Sequence, residues 1–211
     1  KHTLENVLEV PEVCINVVNY DMVWQTSLAS TEYNKNEDEF IKAGFNKEAS
    51  RTIRPYRVKE SPVQMECKVN QILPLGNEGG AGNLIICQVM MVHVNEQVLY
   101  PNTNIIDPHQ IDLVSRMGGD WYCRAKGDAL FEIEKPVKNK GIGVDQIPQN
   151  IRESHILTGN DLGQLGNVEQ LPDDIYISEH GKLAAEKSDT EVHQLAHELL
   201  CERKVNEAWA I

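Results

Sequence analysis

Between Pro62 and Val94 the chain carries two long apolar-rich runs separated by a glycine-rich break, and this pair narrows the folds open to it more than any other feature. The first, "PVQMECKVNQILPL", sets Val63, Met65, Cys67 and Val69 on one side and Gln64, Glu66, Lys68 and Asn70 on the other. A period of two is the mark of an antiparallel strand with one wet face. "GNEGGAGN" follows as a loop, and "NLIICQVMMVHV" is then apolar on both faces. A run of that kind belongs in the middle of a sheet, so the pair predicts a hairpin whose second strand is central.

Two further strands are expected. "EVCINVVNY" alternates Val13, Ile15 and Val17 against Cys14, Asn16 and Val18, and "DALFEIE" alternates Ala129, Phe131 and Ile133 as a last strand. Thr3 is placed to cap a short helix from Leu4 to about Val10, stopped by Pro11. "DMVWQTSLAS", "EDEFIKAGF" (ended near Gly44) and "DPHQIDLVSRM" (Pro108 in its first turn) read as short helices. Lys47 to Pro62 reads as a polar surface loop with most of the local basic charge.

Lys135 to Gly143, "KPVKNKGIG", is the best linker and divides a domain over 1–137 from an extension over 138–211. The extension reads as irregular turns up to a final amphipathic helix. There Ser188 and Glu191 form a capping box, and Val192, Leu195, Leu199 and Leu200 make an apolar stripe.

Charge and cysteine use limit the function classes. A net charge of −12, with no local basic patch, argues against nucleic acid and anionic membrane surfaces as partners. No stretch approaches the roughly 20 apolar residues of a membrane span. The five cysteines are odd in number and lack any C-x-x-C pairing, which fits free thiols in a reducing, cytoplasmic setting. The chain begins "KHTLENV" without a methionine, as if something preceded it.

Candidate chemistry is sparse. No nucleophile triad, P-loop or dinucleotide fingerprint is present, so no catalytic residue is assigned. His193 and His197 have metal-binding spacing, but Gln194 stands where H-E-x-x-H needs its glutamate, so no metal site is expected. Three places remain open between a structural and a binding role. Lys1 and Thr3 at a helix start suit either an anion or an ordinary cap. His93 shares parity with Cys87, Val89 and Met91, as a core histidine or a ligand-facing one. In "RMGGDWYCRA", Arg116, Gly118, Gly119, Trp121 and Tyr122 suit either a tight turn or a loop lying against a flat ligand.

In this order, "KHTLENV", "EFIKAGF", "SPVQMECKVNQILPLG", "GAGNLIICQVMMVHV", "IDPHQIDLVSRMGGDWYCRA" and "LTGNDLGQLGNVEQLP" resemble the flavin reductase-like family with the FMN-binding split barrel, which includes flavoredoxins and the reductase components of two-component monooxygenases. The resemblance implies a mainly β (α+β), Greek-key split β-barrel with peripheral helices and a C-terminal helical extension, working as a homodimer. It implies non-covalent FMN, hydride transfer from NADH or NADPH, and delivery of reduced flavin or electrons to a partner such as an oxygenase. A non-catalytic FMN-binding or structural homodimer module is the alternative. On this likeness Lys1 and Thr3 take the FMN phosphate, while His93, Arg116, Gly118, Gly119, Trp121 and Tyr122 lie near the ring or the nicotinamide. Family members carry further strands ahead of the lysine–threonine segment, so the barrel is expected to be incomplete at its N-terminus. The final helix is expected to hide its stripe against the barrel or a neighbouring subunit.

Overall fold

The computed structural model describes residues 2–78, 80–133 and 140–211; Lys1 and the larger part of the expected linker lie outside them. The chain divides into two compact units, Lys1–Glu132 and Ile133–Ile211.

The first unit opens with helix α1 (His2–Glu9), which ends two residues before Pro11, where a helix cannot continue. Because α1 already includes His2, Thr3 sits within its first turn and is not its cap. Strand β1 (Glu12–Asn16) follows, then a 3-10 turn (Tyr20–Met22) running into α2 (Val23–Ala29). In α3 (Glu39–Ala43) the Asp38 side chain accepts from the Phe40 N–H, and Gly44 closes the helix at φ 71°. Short strands β2 (Lys47–Glu48) and β3 (Arg57–Val58) pair with each other. The long hairpin is β4 (Val63–Pro74) and β5 (Asn83–Val94). Helix α4 (Pro108–Ile111), capped by Asp107, leads to a second hairpin, β6 (Val114–Gly118) and β7 (Trp121–Arg124).

The strands make three separate antiparallel sheets, β1-β4-β5, β2-β3 and β6-β7, and among the described residues no barrel closes. The central strand is β4, not β5: β1 takes the second side of β4 and leaves β5 at the edge. Apolarity on both faces therefore does not mark a central strand here. Leu84, Ile86, Val89, Met90 and Val92 of β5 are all exposed. No strand forms over "DALFEIE" as far as Ile133. Gly127, at φ 58°, starts a 3-10 turn through Ala129 that breaks the alternation, and Glu134 lies outside the described residues.

Two bulges reset the hairpin's register. Glu66 pairs with Met91 but Cys67 with Val89, which makes Met90 supernumerary, and Asn70 is the extra residue between Val69 and Gln71. A bulge reverses side-chain alternation beyond it. His93 and Met91 consequently share the face of Gln64 and Glu66, while Val89 joins Cys67 on the other, against the parity expected from sequence.

The supposed wet face of β4 is covered. Gln64 and Glu66 are buried under the segment from Ala49 to Ser61, which is not a surface loop: Ile53, Arg57 and Ser61 in it are buried as well. The Arg57 guanidinium donates to the Ala49 carbonyl at 3.1 and 3.3 Å and to the Gln64 side chain, whose amide donates in turn to the Val58 and Ser61 carbonyls, both at 2.9 Å. The opposite face packs Val63 with Val98, Ile111 and Val17.

The second unit has no strand among its described residues, so the chain as a whole is mixed α/β and not mainly β. Its helices are α5 (Gln149–Arg152), α6 (Gly159–Gly166), α7 (Asp174–His180), α8 (Asp189–Cys201) and α9 (Val205–Ala210). The capping box expected at Ser188 and Glu191 is present. A second one, Thr158 with Asp161, begins α6 in a stretch whose Gly159, Gly163 and Gly166 hide its helical character from propensity. Of the α8 stripe, Leu200 is buried and Leu199 partly buried within this same unit, while Val192 and Leu195 stay half-buried. Ala196 and Leu200 are buried with Ile147, Leu157, Leu165 and Ala208, and Trp209 donates to the Leu165 carbonyl at 3.1 Å. A Cβ on Gly166 would stand 2.9 Å from the Val144 nitrogen, so only glycine lets these backbones meet.

Candidate functional site

Glu66 is the most tightly held side chain in the first unit. It is fully buried at the middle of the β1-β4-β5 sheet and accepts from the Arg51 N–H at 2.9 Å, the Thr52 N–H and hydroxyl at 2.6 Å each, and His93 Nε2 at 2.7 Å. Arg57 Nε stands 3.8 Å away. Burial alone would raise this carboxyl, but the donors from Thr52, Arg51 and His93 overcome it and hold Glu66 at about 2. The carboxylate carries no proton at neutral pH, so Nε2 of His93 is the donor. Nδ1 is the ring's remaining polar atom. Cys14, opposite Glu66 on β1, is pushed up to about 11 by burial and by that negative charge.

The second cluster is the β6–β7 hairpin, with a fixed root and an open tip. At the root, buried Asp112 takes αL geometry at φ 51° and binds both arms of the Arg124 guanidinium, Nε at 2.7 Å, with Lys126 Nζ at 3.2 Å. The Arg124 guanidinium, followed by the Lys126 ammonium, holds the Asp112 carboxyl at about 2 despite its burial. Arg124 also stacks 3.6 Å over the Tyr20 ring, and the Tyr20 N–H donates to the Asp112 carbonyl at 2.9 Å. At the tip, Gly118 and Gly119 turn the chain at φ 102° and 53°, conformations that side chains disfavour. Arg116 donates to the Gly119 carbonyl at 3.1 Å. Met117, Trp121 and Tyr122 are exposed, and nothing lies within 4 Å of where a Cβ on either glycine would stand.

Arg116, Gly118, Gly119, Trp121 and Tyr122 are thus brought together on one hairpin, whose tip is a tight turn with open space beside its two glycines. His93 belongs to the Glu66 cluster. Thr3 is exposed in the first turn of α1, and Lys1 lies outside the described residues. Among the described residues no hydrogen bond or ion pair joins Thr3 or His93 to the hairpin. Two shallow depressions, one between α1 and Arg54–Pro55 and one among Met22, Phe40, Phe45 and Val58, include none of these residues. Among the described residues no three His, Cys, Asp or Glu side chains converge as metal ligands, His193 and His197 included.

Glu66 was missed by sequence reasoning because strand alternation assigned it to solvent. The available signal was indirect: the cations of "SRTIRPYR", if folded inward, require an acidic partner.

The flavin reductase like domain model matches residues 1–108. An uncharacterized protein of Aquifex aeolicus (strain VF5) is 26% identical over 133 residues, covering 63% of this chain and 65% of that protein. An uncharacterized protein of Halalkalibacterium halodurans is 28% identical over 138 residues, 64% of each chain. The chain therefore spans just under two-thirds of the length of these relatives. Among solved structures, nitrilotriacetate monooxygenase component B from Bacillus cereus is 27% identical with a TM-score of 0.57, over 63% of this chain and 65% of that one. A Shewanella frigidimarina NCIMB 400 protein with a split barrel domain is 28% identical with a TM-score of 0.55, over 64% and 65%. The flavoredoxin of Desulfovibrio vulgaris (Miyazaki F), at 21% identity, TM-score 0.51 and coverage of 62% and 67%, shares the fold. With 108 of its 211 residues matched by that model, the chain belongs to the flavin reductase-like family.

Proposed function

We propose that the chain is an FMN-dependent oxidoreductase that accepts hydride from NADH or NADPH and passes reduced flavin or electrons to a partner, an oxygenase being the favoured class. The observation that carries this reading is the family membership over the segment that holds α1, the Glu66–His93 pair and the approach to the β6–β7 hairpin. The residues fit such a group. The space beside Gly118 and Gly119 admits a planar ring against main chain, and the first turn of α1 has N–H groups without helical acceptors.

FMN, when bound, supplies the hydride acceptor itself, so the protein's task is binding and placement. Thr3 gives its hydroxyl, and α1 its unpaired N–H groups and positive dipole end, to the phosphate, with Lys1 adding an ammonium. Gly118 and Gly119 let the hairpin backbone approach the ring, while Trp121 and Tyr122 shield its edge from water. Arg116 braces the turn through the Gly119 carbonyl. His93, oriented by Glu66, presents Nδ1 as a polar contact at the ring or the nicotinamide. Hydride transfer needs donor and acceptor held at roughly 3–3.5 Å and no nucleophile triad.

The alternative, an FMN-binding or structural homodimer module without turnover, draws support from the exposed apolar residues of β5, which suit a subunit interface. One titration separates the readings. Protein mixed with FMN and freed of excess should be yellow, with absorbance near about 450 nm that bleaches anaerobically with NADH or NADPH. Colour without bleaching leaves the binding module, and a colourless protein removes both flavin readings and leaves a structural module.

A further inference from the structure

The second unit contains a nucleophile with a positioned base, on residues the flavin reading does not use. Cys201, the sole cysteine of this unit, ends α8 and is exposed. His197 stands one turn earlier, with Nε2 3.7 Å from the Cys201 Sγ. The other ring nitrogen, Nδ1, is 2.9 Å from Asp161 Oδ2 on α6, 36 residues away in sequence. Asp161 is only 3% exposed and also accepts from the Thr158 N–H and hydroxyl, at 2.7 Å each. The three side chains line up and do not converge, which is the arrangement of a proton relay and not of a metal site.

Burial by itself would raise the Asp161 carboxyl, but the bonds from Thr158 and His197 hold it below its ordinary value. Ionised Asp161 is acceptor-only, so Nδ1 of His197 carries a proton and the lone pair of Nε2 faces the thiol. Thiol-to-imidazole transfer then gives a thiolate beside an imidazolium whose charge Asp161 balances.

We propose that Cys201, with His197 as base and Asp161 as the residue that orients it, is a peroxide-reactive thiol: a site of reversible oxidation to sulfenic acid, distinct from flavin binding. The thiolate sulfur attacks one oxygen of a hydroperoxide, the S–O bond forms as the O–O bond breaks, and sulfur loses two electrons to the departing oxygen. The imidazolium proton on Nε2 goes to that oxygen, which leaves as water or an alcohol. Among the described residues none of the other cysteines has such a partner. Cys14 and Cys67 are held as thiols by burial, while Cys123 is exposed with no imidazole bonded to it, which makes it an internal control.

The experiment uses the full chain. Iodoacetamide alkylation at neutral pH is followed cysteine by cysteine by peptide mass spectrometry, and dimedone adducts are mapped after equimolar hydrogen peroxide. An ordinary thiol is only a few per cent thiolate at pH 7, so Cys201 should alkylate about tenfold faster than Cys123 and carry the dimedone adduct. His197→Gln should bring Cys201 down to the rate of Cys123, and Asp161→Asn should lower it while retaining a side chain that can cap α6. Equal rates at Cys201 and Cys123 in the unmodified protein, which need no variant to fold, would overturn the proposal. So would a Cys201 rate unchanged by His197→Gln, since exposure alone would then explain it.

Discussion

Glu66 is an acid whose surroundings were built for its charged form. Four donors surround it, and replacing it with glutamine sets an NH2 group against N–H groups that have no other acceptor. Glu66→Gln should cost about 2–4 kcal/mol in chemical denaturation, the range for disrupting a buried charged hydrogen-bond network. The pH dependence has a definite sign. Glu66 and Asp112 titrate at about 2 when folded, against ordinary values of 4.5 and 3.8. Depressed folded values mean stability that is fully present above about 4.5 and lost as pH falls toward 2. Unfolding midpoints should drop across that window, and less steeply in Glu66→Gln. At this scale the sequence exposed His93 as a candidate but not its partner. Alternation along one strand carries no information about a loop that folds back over it.

The elements were legible where a local rule fixes them and obscure where distant chain decides. Pro11, Gly44 and Pro108 marked helix ends or starts and both long strands of the hairpin have the expected extents, but the helix expected over "DPHQIDLVSRM" stops at Ile111, and its part from Val114 on is strand β6. Strand order was not legible, because β1 arrives from far along the chain to occupy the inner side of β4. Nor were the bulges at Met90 and Asn70, which depend on cross-strand pairing. The tip of the β6–β7 hairpin was visible as Gly118 and Gly119, but its root at Asp112 and Arg124 was not, since those residues are twelve apart. Helix α1 yields a prediction of its own. Thr3 is an exposed residue of the first turn of that helix and not its cap, so Thr3→Ala should change stability by less than about 0.5 kcal/mol, alanine being the better helix former. The same substitution should weaken FMN binding about tenfold by equilibrium titration, the loss of one charge-assisted bond. Equal losses in stability and affinity would mark Thr3 as structural only.

The chain as a whole joins a sheet-based unit, matched by the family model up to residue 108, to a helical one that has its own core. Composition and charge said nothing of how β5 would be left. Ile15, Val89, Val92 and Val94 stand exposed on one sheet face, an apolar patch that water disfavours. Light scattering after size exclusion should therefore give twice the chain mass, and Val92→Glu should shift the population toward monomer. A monomer at all concentrations would count against the homodimer. No helix among the described residues is long and apolar enough to cross a membrane. The cluster around Leu200 and the one around Val63 have no residue in common. A calorimetric scan is therefore expected to resolve two transitions, with Leu200→Ala lowering only one of them.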